Sequence, residues 1–196
     1  MSTSLPAVLL AAGGSTRMGR PKQLLPYRGR SLVRHAAETV IAAGFGPLFV
    51  IVGNEADAVR VAIANLPIVI VHNEHWQRGI GSSLRCGIER AIEVLPSAAG
   101  LLVMLTDQPG VCADHLRALR AAWKSDRIAA SHYARAPAVP AIFPANLFAE
   151  MLRLPDDAGA KSILQRHADR TALVQLDKHD DIDRPSDYER LLSEQT

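Results

Sequence analysis

Apolar residues fall along the chain in short unbroken runs separated by segments of helical spacing. Ala7–Ala11 (A-V-L-L-A) ends in Gly13-Gly14, Leu48–Val52 (L-F-V-I-V) ends in Gly53-Asn54, and Ile68–Val71 ends in the polar His72-Asn73-Glu74. Leu101–Leu105 (L-L-V-M-L) runs straight into Thr106-Asp107-Gln108-Pro109. Such runs, apolar at every position rather than at alternate ones, predict strands of a mostly parallel sheet covered on both faces. Between them, Leu32, Val33, Ala36, Ala37, Val40 and Ile41 recur at helical spacing behind Ser31 and stop before Gly44, the pattern of a capped helix. Glu55–Ala64 predicts a second helix, and Leu84, Ile88, Ala91, Ile92 and Leu95 a third. Gln23–Gly29 reads as connector and Gly79–Gly87 as a loop leading into the third helix. The first half is therefore β-α-β-α-β-α-β.

The second half is less regular. Ala113–Trp123 predicts a helix, and Ile128–Tyr133 and Val139–Phe143 predict two strands. Pro137, Pro140 and Pro144 should confine those strands to sheet edges or bends, because proline has no N–H for a ladder. Asn146–Leu154 has a helical apolar face, Asp156 and Asp157 stand where they could cap a helix carrying Ile163 and Leu164, Leu173–Leu176 reads as a last strand, and a helix closes the chain to Leu192.

Composition narrows the function. The 196 residues carry a formal charge of +2 with both signs scattered, which gives no grip on a nucleic-acid backbone and makes a small-molecule partner the expectation. No apolar run approaches the roughly 18 residues of a membrane span, and Met1–Ser4 lacks the positive start of a signal peptide. Two cysteines, Cys86 and Cys112, are too few for a disulfide framework or a zinc site and read as small apolar fillers in a cytoplasmic protein. The seven histidines show no zinc-ligand spacing, with His75 and His179 reading as surface residues, and neither a G-x-S-x-G elbow nor a G-x-x-x-x-G-K-[ST] loop is present.

Three stretches carry chemistry. Gly13-Gly14 breaks the first strand where backbone amides can meet a ligand with no Cβ in the way, and Arg17 and Lys22 follow, a forked cation and a point cation suited to phosphate. Ser82 and Ser83, near a helix start, can cap that helix or bind a ligand anion or base edge. Asp107, at the carboxyl end of an apolar strand, is a loop cap or a ligand for a hard cation such as Mg²⁺, and a phosphate loop in the same sheet favours the cation. The acidic run Asp180–Asp183 is a solvated segment or a source of a second carboxylate.

Leu10–Lys22 (L-A-A-G-G-S-T-R-M-G-R-P-K) resembles the L-A-A-G-x-S-x-R-M-G-x-x-K signature of the MobA-like nucleotidyltransferases. The resemblance continues through Gln23-Leu24-Leu25, Gly79–Gly87, Thr106–Pro109, the D-x-G-A-[RK] segment at Asp157–Lys161 and D-I-D-x-P at Asp181–Pro185. It implies a three-layer α/β/α, Rossmann-like (GT-A-like) nucleotidyltransferase as one domain over 1–196, with a nucleotide half to about 112 and an acceptor half from 113. Among branches it is most similar to molybdenum cofactor cytidylyltransferases, since Ala12 stands where guanylyltransferases carry glycine. That implies transfer of CMP from CTP to the terminal phosphate of molybdopterin with release of pyrophosphate, possession of Mg²⁺ as cofactor, and a client molybdoenzyme downstream. The implied nucleotide site is Leu10, Ala11, Ala12, Gly13, Gly14 and Ser15, with Asn73 and with Ser82 or Ser83 at the base. Arg17 and Lys22 hold the triphosphate, and Asp107 with Asp183 the metal. The chain departs from the family at Ala136–Pro140, where a G-[HR]-P-like segment is usual, and at Asp156, where glycine is usual; both fall on the acceptor side. A guanylyltransferase, a sugar-phosphate nucleotidyltransferase and a non-catalytic cofactor chaperone are the rival readings.

Overall fold

The computed structural model describes residues 5–133, 136–176 and 181–194. The expectations for Met1–Ser4, His179 and Asp180 lie outside them. Strands β1 (Ala7–Ala11), β4 (Leu48–Val52), β5 (Val69–His72) and β6 (Gly100–Leu105) form a parallel block, and β7 (Ile128–Tyr133), β8 (Ala136–Pro144) and β9 (Thr171–Gln175) extend it. The seven-stranded order is β5-β4-β1-β6-β8-β7-β9. β8 runs antiparallel to both β6 and β7, while β9 is parallel to β7. A separate two-residue hairpin, β2 (Pro26–Tyr27) with β3 (Arg30–Ser31), stands where the sequence suggests plain connector.

Alternate residues of β1 enter two cores, as a strand with a period of two requires. Leu9 and Ala11 pack with α1 (Leu32–Ala42), α2 (Ala56–Ala62) and α4 (Ala113–Ala122) on one face. Val8, Leu10 and Ala12 pack with α3 (Ile80–Val94), α5 (Phe148–Met151) and α6 (Ala160–Arg166) on the other. Helices on both faces of a mostly parallel sheet make the expected three layers. A smaller cluster, including Met18, Leu25, Tyr27, Ile182 and Tyr188, seats α7 (Pro185–Ser193) against the loop after β1. No helix among the described residues is long and apolar enough to cross a membrane.

The proline argument fails for β8. This strand lies inside the sheet although it contains Pro137, Pro140 and Pro144. Its pairing with β6 stops at Val103↔Ala141, so Pro137 and Pro140 lie beyond that ladder. Pairing with β7 slips between Ala130 and Ser131, passing from Ala141 to Ala138 and stepping over Pro140. A bulge thus removes the ladder position at which an N–H would be needed. Ser131 Oγ donates to the Pro140 carbonyl at 2.8 Å and closes the gap.

Other differences are local. The Asn146–Leu154 helix shrinks to a 3₁₀ turn, Ala145–Leu147, and the single turn of α5. The last strand is Thr171–Gln175, two residues earlier than the apolar pattern suggests. Neither Asp156 nor Asp157 caps α6, whose N-cap is Gly159; Asp156 instead pairs with Arg85 of α3. Cys86 is half-buried and Cys112 is exposed, so Cys112 fills no apolar space.

Candidate functional site

From β1 the chain steps to one side through β4 and β5, then returns to place β6 on β1's other flank. The carboxyl ends of β1 and β6 therefore border the crevice where open α/β sheets bind ligands. Leu10 pairs with Leu105 there, and the two loops that follow, with the segment after β5, carry most of the residues singled out by sequence. They enclose a cavity of about 330 Å³ lined by Leu10, Ala12, Gly13–Thr16, Lys22, Gln23, Trp76, Gln77, Gly79, Ile80, Ser83, Leu105, Thr106 and Asp107.

The glycine loop is held from beneath. Gln23, only 2% exposed, donates Nε2 to the carbonyls of Gly13 and Asn54, each at 3.4 Å, and accepts from Ser15 Oγ at 3.3 Å. Ser15 sits at φ 51° and its Oγ accepts from the Lys22 backbone N–H at 3.0 Å. The Ala12 carbonyl accepts from Asn54 N–H at 3.2 Å. These carbonyls are turned inward, and the stretch from Gly13 to Thr16 faces the cavity.

Charge converges at the end of β6. Asp107 is 7% exposed, and its Oδ2 accepts from Lys22 Nζ. Its Oδ1 is buried with no partner. Lys22 Nζ also reaches Asp183 Oδ1 at 3.3 Å, and Arg17 lies 3.7 Å from the other Asp183 oxygen on the open surface. Burial works against the Lys22 ammonium, but the Asp107 and Asp183 carboxylates outweigh it and raise its pKa. Asp183 arrives because Ile182, fully buried, donates its N–H to the Asp107 carbonyl at 3.0 Å. Asp181, on the other side of Ile182, is pushed up to about 7 by burial and by the Asp107 charge. Two carboxylates that meet on one ammonium, one with a buried unshared oxygen, suit a hard divalent cation.

Not every predicted residue reaches the cavity. Ala11 points into the opposite core, and exposed Arg17 stands outside the lining. Asn73 Nδ2 donates to Ser82 Oγ at 2.9 Å and to Ser83 Oγ at 3.0 Å. Ser82 Oγ is within donating distance of the His75 and Gly79 carbonyls, at 3.0 and 2.9 Å, so its hydroxyl is satisfied internally. Of the two serines, Ser83 lines the cavity. Both lie in the first turn of α3, at the helix start where the sequence places them.

Sequence reading missed Gln23 and Trp76. Gln23 is a lone amide in an apparent connector, and only the fold brings Gly13 and Asn54 to it. Trp76 follows no periodic pattern. A second cavity, about 230 Å³, adjoins the first by sharing Leu10, Ile80 and Leu105, and adds Val103, Gln108, Tyr133, Ala138, Val139, Gly159, Ala160, Lys161 and Asp181. The first cavity draws only on residues before 112, whereas most of what the second adds comes from beyond it. Burial, with the Asp181 and Asp107 charges, pushes the Tyr133 phenol up to about 12.

Residues 7–171 match the MobA-like NTP transferase domain. The chain belongs to that family. A crystal structure of Rv0371c from Mycobacterium tuberculosis H37Rv superposes with a TM-score of 0.82 at 34% identity, covering 97% of this chain and 99% of that one. A manganese complex of Rv0371c superposes with a TM-score of 0.79 at 33% identity over 97% and 99% of the two chains. Nicotine blue oxidoreductase of Paenarthrobacter nicotinovorans is 43% identical over 136 residues, which span 67% of this chain and 64% of that relative's length. Purine catabolism protein PucB of Bacillus subtilis is 28% identical over 96% of each chain. The fold and the nucleotidyltransferase family expected from the sequence are thus established for this MobA-like transferase.

Proposed function

We propose that the protein transfers a cytidylyl group from CTP to the terminal phosphate of molybdopterin. The observation that carries this reading is Asp107: a buried carboxylate with one unshared oxygen, beside a phosphate-type loop and a lysine, at the crevice of the sheet. An acceptor phosphate oxygen attacks the α-phosphorus of CTP, a new P–O bond forms, and the bond from the α-phosphorus to the bridging oxygen breaks to release pyrophosphate. Lys22 and the loop amides orient the triphosphate and offset charge on the leaving phosphates. Arg17, at the rim, closes on the same phosphates from solvent. Asp107 and Asp183 would hold Mg²⁺, which when bound would supply further stabilisation of charge on the phosphates. Lys22 leaves the two carboxylates as the nucleotide arrives and turns its ammonium to the phosphates.

Ala12, which lines the cavity, stands where the guanylyltransferase branch carries glycine, and this supports CTP. Ser83, whose oxygen accepts from Asn73, presents its hydroxyl to the base. The second cavity suits a flat acceptor ring, with Gln108, Tyr133 and Asp181 for its polar edge and Lys161 for its phosphate. The departures at Ala138 and Val139 fall on that lining, while Asp156 is turned away to Arg85. We place the reaction in the cytoplasm, with a molybdoenzyme receiving the product.

The 43% identity to an oxidoreductase favours a second reading, in which the adjoining cavities hold a reductant and a flat acceptor. Pyrophosphate release, measured with CTP, GTP, ATP and UTP, with molybdopterin, a sugar phosphate or no acceptor, and with and without Mg²⁺, separates the two. Release with CTP that requires molybdopterin supports cytidylyl transfer. Release with GTP instead makes it a guanylyltransferase, release only with a sugar phosphate moves the acceptor, and cofactor binding without release in any mixture makes it a chaperone or the oxidoreductase.

A further inference from the structure

Trp76 opens the 3₁₀ turn Trp76–Arg78 between β5 and α3, and its indole spans two loops of the crevice. A Cβ added at Gly53 would lie 2.6 Å from both Cβ and Cγ of Trp76, and one added at Gly14 would lie 3.0 Å from Cζ3. Two glycines from different strand ends thus receive the near and far parts of one ring. Contacts below 3.0 Å are too close for a real side chain, so Gly53 is the residue the ring requires. The Trp76 backbone is fixed as well. Its N–H donates to the Asn73 carbonyl at 3.3 Å and its carbonyl accepts from Gly79 N–H at 3.2 Å, while Asn73 ties the same turn to Ser82 and Ser83. The ring packs partly on the core that holds Leu84 and Ala12, and Trp76 lines the same cavity as Lys22 and Asp107.

We propose that Trp76 is the packing wall for the nucleobase, a binding residue seated between Gly14 and Gly53. The inference rests on the nucleotidyltransferase reading and assigns the base end of that site. Lys22 and Asp107 fix where phosphates and cation lie, and the base must then extend away from them. Trp76, half-buried and on the cavity lining, offers a preformed aromatic surface against which a base would lose little freedom on binding. Ser83, tied to the same turn through Asn73, supplies the polar contact at the edge.

The chain has two tryptophans, and Trp123 packs against Gly100 at the other end of β6, so Trp123→Phe leaves Trp76 as the sole emitter. In that variant CTP is expected to quench emission, while inorganic tripolyphosphate, which has no base, leaves it unchanged. By calorimetry Trp76→Ala is expected to bind CTP about tenfold more weakly and tripolyphosphate with unchanged affinity, and Trp76→Phe to recover most of the loss. Equal weakening of both ligands in Trp76→Ala would make the ring a mere prop for the loop and overturn the proposal, as would unchanged CTP affinity. If Trp76→Ala does not fold, emission decides: quenching by tripolyphosphate equal to that by CTP overturns it. Failure of the wild-type protein to bind any nucleoside triphosphate would instead bring down the nucleotidyltransferase reading itself.

Discussion

Lys22 and Asp107, 85 residues apart, form an ion pair at the mouth of the crevice in which only one carboxylate oxygen is used. Lys22 follows the glycine loop after β1, and Asp107 ends β6, the neighbouring strand. In the proposed reaction the pair would join the phosphate side of the site to its cation side, giving each residue a separable role.

Removing either partner is expected to abolish chemistry in a different way. Asp107→Asn keeps the shape and loses the charge, and should lower kcat by at least about a hundredfold with little effect on nucleotide affinity in the absence of metal. Lys22→Ala removes a phosphate contact and should cost about 3–5 kcal/mol in kcat/KM. Steady-state kinetics on both variants checks this, and wild-type rates in Asp107→Asn would remove the carboxylate from the mechanism.

The Lys22 ammonium stands between Asp107 and Asp183, so in the proposed site lysine and metal would compete in the nucleotide-free protein. Lys22→Met leaves Asp107 without its partner, and such a variant should be destabilised by about 3–5 kcal/mol because a buried charge is left uncompensated. Millimolar Mn²⁺ is then expected to raise the Tm of Lys22→Met more than that of the wild type. Equal shifts in a thermal melt would place the ion elsewhere.

Gln23 holds the glycine loop through its side-chain amide. Gln23→Ala deletes two donor contacts to carbonyls and one acceptor contact, and should lower stability by about 1–3 kcal/mol while raising KM for nucleotide more than it lowers kcat. Chemical denaturation together with kinetics tests this. A kcat effect alone would mean direct contact with the reacting groups.

The imidazole of His35 in α1 is held below the ordinary histidine range, by burial first and then by neighbouring arginines, against a hydrogen bond to the Pro109 backbone that favours the proton. The folded chain thus prefers the neutral ring more than the unfolded chain does. Its contribution is complete above the unfolded value of about 6.5 and is lost as pH falls from there through the lowered folded value. Urea unfolding from pH 8 to 5 should show wild-type stability falling more steeply than that of His35→Gln, and parallel curves would assign the acid sensitivity to other groups.

The parallel half of the sheet was legible because β1, β4 and β6 are buried on both faces, and unbroken apolar runs record that burial directly. Asp107 and Lys22 were legible because a lone carboxylate after an apolar strand and a cation after a double glycine are rare enough to stand out. β8 was misjudged because Pro140 carries a penalty only where a ladder needs its N–H, and the slip at Ala130/Ser131, invisible in sequence, removes that need. Ser82 and Ser83 are neighbours of like chemistry, and only the bonds from Asn73 and to the Gly79 carbonyl separate an internal hydroxyl from one that lines the cavity. Gln23 and Trp76 act through loops remote in sequence, Asn54 and Gly53, so no local pattern could report them.

The most direct test of nucleotidyl transfer follows the label. The protein is incubated with molybdopterin, Mg²⁺ and CTP carrying ³²P at either the α or the γ position, and the products are separated. The expected result is that α-label enters the molybdopterin product and γ-label leaves as pyrophosphate, in equal amounts. Release of γ-label as inorganic phosphate, or intact CTP alongside a reduced acceptor, would contradict it.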